Sequence, residues 1–173
     1  MPKTTKESRG RVLDRFQAAV SALRKSARRG RDDRIAESDK PEALAILREG
    51  PDQAVLRGIF HTAGWELAIA DSVSSAFTAQ ERHPVPIILY DQKFPGCEWH
   101  KAVSALASLP GQPWVILLSS RCDQNLWDEL TMIGGSDVLR APLNAQAVIQ
   151  AVKSGWLLWR HLRQLKRATG SRP

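Results

Sequence analysis

Residues 87–99 read IILYDQKFPGCEW, and this stretch decides the fold. Four apolar residues run directly into Asp91, and a Pro95-Gly96 turn follows closely. A short continuous apolar run that ends at a turn is typical of a strand covered on both faces, as in parallel α/β sheets. Asp91 then lies at the carboxyl end of the strand, where open α/β sheets bind ligands. Two interpretations of Asp91 stay open: a carboxylate used in chemistry or metal binding, or a residue that only begins a turn.

Apolar runs of strand length alternate with helical patterns from residue 41 onward. The predicted strands are residues 43–47, 65–70, 85–91, 114–119 and 137–139, and the predicted helices are residues 51–63, 72–80, 98–109, 123–133 and 145–167. This alternation predicts a doubly wound parallel sheet of five strands, because right-handed crossovers place helices on both faces. The carboxyl ends of the strands share one edge, so we expect Glu49, Asp91 and Ser119 to gather there.

The charge of the chain divides it into three parts. Residues 1–40 carry 12 Lys and Arg against 6 Asp and Glu, residues 41–153 carry 8 against 12, and residues 154–173 carry 5 against none. We therefore predict a basic N-terminal extension (1–40), one domain (41–167) and a tail (168–173). No apolar run reaches the length of a membrane span, and the charged N-terminus lacks a signal segment, so we expect a cytoplasmic protein.

The N-terminal extension contains one amphipathic pattern. Leu13, Phe16, Val20 and Leu23 fall on one face of a helix over residues 10–29, and arginines and lysines occupy the other faces. Residues 30–40 form a linker. The helix has three interpretations: it docks on its own domain or frays, it binds a partner or a second copy, or it lies on an anionic surface.

With these elements in order, residues 43–155 resemble the receiver domain of bacterial two-component response regulators, which has a flavodoxin-like fold with strand order 2-1-3-4-5. The resemblance rests on Asp91 with Phe94-Pro95-Gly96, on Ser119, and on the Gly134–Pro142 segment. It implies that Asp91 is the phospho-acceptor and that Ser119 is the switch residue that contacts the phosphoryl group. It also implies a Mg²⁺ site, for which Asp91 and Glu49 are the candidate ligands.

Three residues depart from the receiver pattern. The acidic pair after the first strand is Arg48-Glu49 here, the lysine before the proline is Ala141, and the aromatic switch position holds Val138. Arg140 does not substitute for the lysine, because consecutive strand residues point to opposite faces. Since phosphorylation of an aspartate needs Mg²⁺ and cations to offset its charge, we predict an atypical receiver with weak or absent Mg²⁺ binding and reduced or absent phosphotransfer.

The partners expected from the sequence are proteins. Trp156 and Trp159 on the last helix are candidate anchors of a partner interface or homodimer, or else they pack within the chain, and the receiver resemblance adds a histidine kinase. We expect no enzyme activity, since no nucleophile, base and oxyanion donors can be assembled. The alternative function is nucleic-acid binding by the basic terminal segments, although no nucleic-acid motif accompanies them. Cys97 and Cys122 are expected to be reduced thiols, and the four scattered histidines show no metal spacing.

Overall fold

The computed structural model describes residues 40–170, with side chains through Arg167. Ten elements follow one another: β1 (Glu42–Ile46), α1 (Pro51–Ala63), β2 (Glu66–Ala70), α2 (Val73–Arg82), β3 (Ile87–Asp91), α3 (Trp99–Ala107), β4 (Trp114–Ser119), α4 (Gln124–Met132), β5 (Asp137–Arg140) and α5 (Ala145–Gly170). The predicted alternation of strands and helices over residues 41–167 is confirmed. The predicted helix over residues 10–29 lies outside the described residues.

The five strands form one parallel sheet in the order β2-β1-β3-β4-β5, which confirms the predicted flavodoxin-like topology. In its register Ile46 of β1 lies opposite Tyr90 of β3, and Tyr90 lies opposite Leu117 of β4. Every crossover between these strands contains a helix, as parallel pairing requires. The carboxyl ends of the three central strands therefore lie together at one edge, which we call the site edge.

Helices cover both faces of the sheet, and alternate residues of β3 separate the two halves of the core. Ile88 and Tyr90 pack with α2, α3 and α4, whereas Ile87 and Leu89 pack with α1 and α5. All four side chains are fully buried. This explains why the strand reads as a continuous apolar run, since neither face contacts water.

Local sequence signals set several helix boundaries. Pro51 is the first residue of α1, and Gly64 ends that helix in the left-handed conformation with φ of 66°. The hydroxyl of Ser72 accepts a hydrogen bond from the backbone N–H of Ser75 at 3.0 Å, which caps α2. Asp123 caps α4 in the same way. These caps agree with the helix starts and ends predicted from the residue types.

The last helix, α5, is 26 residues long and continues to Gly170. Residues 168–170, predicted as part of a tail, are therefore helical, whereas residues 171–173 lie outside the described part.

Gly155 lies against the indole of Trp114 so closely that a Cβ at position 155 would be 2.5 Å from Trp114 Cδ1. At 1.5 Å per residue the helix is about 39 Å long, well beyond the length of the strands it covers. Among the described helices, none combines the length and apolarity needed to cross a membrane.

Candidate functional site

The strand register brings the predicted site residues to the site edge. Asp91 is the last residue of β3 and pairs with Leu118, so Ser119 of β4 is the next residue along the neighbouring strand. Glu49 follows β1 by three residues, on the loop that leads into α1. Asp91, Ser119 and Glu49 therefore all follow or end strands at the site edge. The hydrogen bonds of Asp91 and Ser119 determine which of their oxygens are available to a ligand.

Asp91 is half-buried, and its own turn holds its carboxylate. The oxygen Oδ1 accepts a hydrogen bond from the backbone N–H of Lys93 at 2.9 Å. The backbone carbonyl of Asp91 accepts from the N–H of Phe94 at 2.9 Å, and Phe94 is buried beside the ring of Tyr90. The Oδ1 atom of Asp91 is thus hydrogen-bonded within the turn, whereas Oδ2 makes no hydrogen bond to the turn.

Ser119 lies at the end of β4, and its side chain is only 2% exposed. Its hydroxyl donates a hydrogen bond to Oε1 of Gln92 at 2.6 Å and accepts one from the backbone N–H of Arg121 at 3.0 Å. Gln92 is also joined to β4 through its own N–H, which donates to the carbonyl of Leu118 at 2.9 Å. The hydroxyl that the receiver resemblance assigns to a phosphoryl group is therefore engaged by the residue that follows Asp91.

Gln92 was not among the predicted site residues. The signal that could have found it is its position: a polar residue directly after one strand lies next to the polar end of the neighbouring strand. Asp52 was also not among the predicted site residues. Its Oδ1 accepts a hydrogen bond from the backbone N–H of Leu143 at 2.8 Å, which ties the first turn of α1 to the loop before α5.

The carboxylates that follow the strands at the site edge are the candidates for holding Mg²⁺. Glu49 and the neighbouring Arg48 are both exposed, so the loop after β1 offers one carboxylate beside one cation. Asp52 has one oxygen committed to Leu143, and Asp91 has one committed to Lys93. Within the described part of the chain, no three His, Cys, Asp or Glu side chains are grouped so that they could hold a metal ion.

The end of β5 carries the other departures from the receiver pattern. Leu139 is buried and Arg140 is exposed, so the two consecutive side chains have opposite environments, as the strand periodicity predicts. The backbone N–H of Ala141 donates to the carbonyl of Ser119 at 2.8 Å, which places residue 141 beside the end of β4. A methyl group therefore stands at the position where the resemblance expects an ammonium group. Val138 is buried in the core.

Two ionisable groups near the turn, the Tyr90 phenol and the Cys97 thiol, have raised pKa values. Burial raises the pKa of the Tyr90 phenol, and burial also raises the pKa of the Cys97 thiol. A thiol with a raised pKa is less often the thiolate that reacts.

His100, which follows the turn after Asp91, interacts with another element. Its Nε2 lies 3.1 Å from Oε2 of Glu129, so it links α3 to α4. His83 pairs with Glu42 at 2.8 Å near the start of β1. Both histidines thus have partners away from Asp91.

The two candidate interface tryptophans differ in their surroundings. Trp159 is 8% exposed, and its indole N–H donates to the carbonyl of Gly111 at 3.0 Å. It therefore anchors α5 to its own domain, one of the two interpretations given above. Trp156 is half-buried, with the guanidinium of Arg160 at 4.7 Å from its ring centre. Its place in a partner interface stays a prediction.

No family model matches this sequence, and no curated protein matches it. Solved structures do. The receiver domain of the TMAO respiratory system response regulator TorR is 25% identical, with a TM-score of 0.59, covering 69% of this chain and 98% of that one. The chemotaxis response regulator CheY4 of Vibrio cholerae is 16% identical, with a TM-score of 0.61, covering 67% and 98%.

A third similar structure is a complex of the Saccharomyces cerevisiae histidine phosphotransfer protein Ypd1 with the receiver domain of its downstream response regulator Ssk1. The matching chain of this complex is 16% identical to the present chain, with a TM-score of 0.59, and the match covers 65% of this chain and 86% of that one. These likenesses agree with the strand order and with the helices that cover the sheet. The described domain has the fold of response-regulator receiver domains.

Proposed function

We propose that residues 41–167 form a receiver-like signalling module that acts by binding protein partners, as a binding module and not as an enzyme. The support is the likeness to receiver structures, one of which is bound to a histidine phosphotransfer protein. A histidine kinase or phosphotransfer protein is accordingly the first class of partner to test. Fold likeness alone does not assign activity, so the chemistry of the site edge must decide the mechanism.

The observation that carries the mechanism is the hydrogen bond from Ser119 to Gln92. A switch residue that reports phosphorylation must exchange its resting partner for the phosphoryl group. Here the resting partner is the amide oxygen of the half-buried Gln92 at 2.6 Å, and breaking a bond of this kind costs about 1 kcal/mol. Ala141 supplies no cation to offset that cost. We therefore propose that phosphotransfer to Asp91 is reduced or absent, and that the resting arrangement is the one that partners bind.

We propose in addition that Mg²⁺ binds weakly or not at all. Asp91 and Glu49 are the carboxylates that could hold it, and Arg48 repels it from the same loop. Because the charge of a phosphorylated aspartate is tolerated only beside such cations, weak Mg²⁺ binding and weak phosphotransfer are expected together.

The test is exposure of the full chain to acetyl phosphate and Mg²⁺, followed by intact mass measurement. We expect no stable gain of one phosphoryl group. An Arg48→Asp/Ala141→Lys variant, which restores the acidic pair and the lysine, is the matched positive arm and is expected to gain that mass. Asp91→Asn in the same background should abolish the gain. A stable phosphoryl group on the native chain that is lost in Asp91→Asn would establish the conventional mechanism instead.

A further inference from the structure

The far part of α5 carries an apolar row on its surface. Leu158 and Leu162 are 47% and 48% exposed, and they lie four residues apart on one side of the helix. The side that packs on the domain carries Val148, Val152 and Trp159, all buried. At about 100° per residue, the Leu158–Leu162 row is turned roughly 90° from that packed side.

This row lies beyond the edge of the sheet opposite the site edge. The ammonium group of Lys153 lies 5.9 Å from the ring centre of Trp65, just before β2, and Gly155 lies against Trp114 at the start of β4. The helix therefore passes the amino ends of the strands at residues 153–155, and residues 156–170 continue for about 22 Å. The loop at Gly111 contacts it there through Trp159.

The N-terminal segment joins the domain at the same edge. Lys40 precedes Pro41, whose carbonyl accepts a hydrogen bond from the N–H of Glu66 at 3.3 Å, where β1 and β2 begin. Residues 30–39 are predicted from the sequence to be a linker, and a flexible chain of that length has a root-mean-square span of about 17 Å and a fully extended reach of about 33 Å. Residues 10–29 can therefore reach the projecting part of α5 without leaving the chain to which they are tethered.

Two arginines of α5 lie away from the leucine row. The guanidinium of Arg160 lies over Trp156, and that of Arg163 lies 4.8 Å from the ring centre of Trp159. Beside the row the helix places Ser154, His161 and the 49% exposed Leu165, whereas Lys166 lies next to Leu162 and its ammonium group donates a hydrogen bond to Gln112. An apolar helix face can thus pack on the leucine row without meeting Arg160 or Arg163 of α5.

We propose that the occupant of this row is the segment 10–29 of the same chain, which packs its Leu13, Phe16, Val20 and Leu23 stripe on Leu158 and Leu162. A row this short offers far less area than a stable interface between two separate chains buries, whereas a tether raises the effective concentration of the segment into the millimolar range. The N-terminal pattern is likewise too short to be a stable helix alone. Docking gives both apolar surfaces a partner, and it is independent of phosphorylation at Asp91.

The test is amide hydrogen exchange of the full chain, followed by mass spectrometry on peptides from residues 10–29. We expect protection of this segment in the native chain, and exchange about tenfold faster in Leu158→Gln/Leu162→Gln. Leu157→Gln is the matched control, because Leu157 is 58% exposed but lies at least about 100° from the row. It should leave the protection unchanged. Unaltered protection of the β3 peptide verifies that each variant keeps its fold.

Light scattering at several protein concentrations separates the other occupants. Protection that is the same at all concentrations, in a monomer, supports docking within one chain. Protection that appears only where the chain dimerises overturns the proposal and assigns the row to a second copy. Absence of protection in the native chain, or an equal loss in Leu157→Gln, also overturns it.

Discussion

Ser119 and Gln92 are joined by a hydrogen bond of 2.6 Å between the hydroxyl of one and the amide oxygen of the other. Ser119 is the last residue of β4, and Gln92 directly follows Asp91, the last residue of β3. The bond therefore ties the turn that holds Asp91 to the end of β4. The ends of β3 and β4 are therefore joined by a side-chain hydrogen bond in addition to the hydrogen bonds of the sheet.

The contribution of this tie can be measured directly. Gln92→Ala is expected to lower the free energy of unfolding by about 1 kcal/mol, because it removes the acceptor of a buried hydroxyl. The measurement is urea unfolding of the native chain, both single variants and the Gln92→Ala/Ser119→Ala double variant. In the Ser119→Ala background the loss should be clearly smaller, since the shared bond is already gone. Equal losses in both backgrounds would mean that the two side chains act independently.

Replacing Arg48 should change metal binding. Arg48→Asp exchanges a cation for an anion beside Glu49, and we expect Mg²⁺ affinity measured by calorimetry to rise at least about tenfold. Arg57→Asp makes the same charge change on an exposed part of α1 and is the control. If both variants gain equally, general charge and not the loop after β1 controls the affinity.

Two glycine substitutions should have opposite effects. Gly155→Ala places a Cβ 2.5 Å from Trp114 Cδ1 and 3.1 Å from Cγ, so the helix or the indole must shift, and we expect a loss of about 1–3 kcal/mol. Gly58→Ala meets nothing within 4 Å in α1 and should gain about 0.5–1 kcal/mol. Thermal or urea unfolding of both variants checks the signs. A gain at both positions would show that α5 is not held closely against Trp114.

Asp137 at the start of β5 predicts a pH dependence of stability. Burial raises the pKa of its carboxyl above the ordinary value of 3.8, so the folded chain holds the proton to higher pH than the unfolded chain does. Its contribution to stability is therefore lost as the pH rises from 3.8 through the raised pKa.

The variant that tests this is Asp137→Asn, which keeps an oxygen for the Val138 N–H, now bonded at 2.8 Å. Relative to the native chain it should gain stability as the pH rises and then level off. Urea unfolding across pH 3–7 gives the curve, with Glu81→Gln on the exposed surface of α2 as the control. A difference between Asp137→Asn and the native chain that does not vary with pH would contradict the assignment.

The sequence predicted the sheet well because its three central strands, β1, β3 and β4, are buried on both faces. The apolar run ending at Asp91 and the run from Trp114 to Ser119 need no tertiary information to be recognised. Helix boundaries at Pro51, Gly64 and Ser72 followed from backbone chemistry that is local.

The contacts that define the site edge could not be predicted in this way. The partners of Ser119, Asp52 and Trp159 lie 27, 91 and 48 residues away in the chain, and residue type alone does not select them. The extension of α5 to Gly170 was missed because its last residues lack an apolar period. Tertiary packing, and not local propensity, determines each of these features.

Helix α5 begins after the loop that Asp52 holds at one edge of the sheet and ends well past the other. It meets Trp114 at Gly155, ten residues from its start and fifteen from its end, so this contact can serve as a pivot. A tilt that moves the first turn by about 1 Å moves the last turn by about 1.5 Å in the opposite direction. Helix α5 thus gives the loop held by Asp52 and the leucine row a common lever, with Gly155 between them.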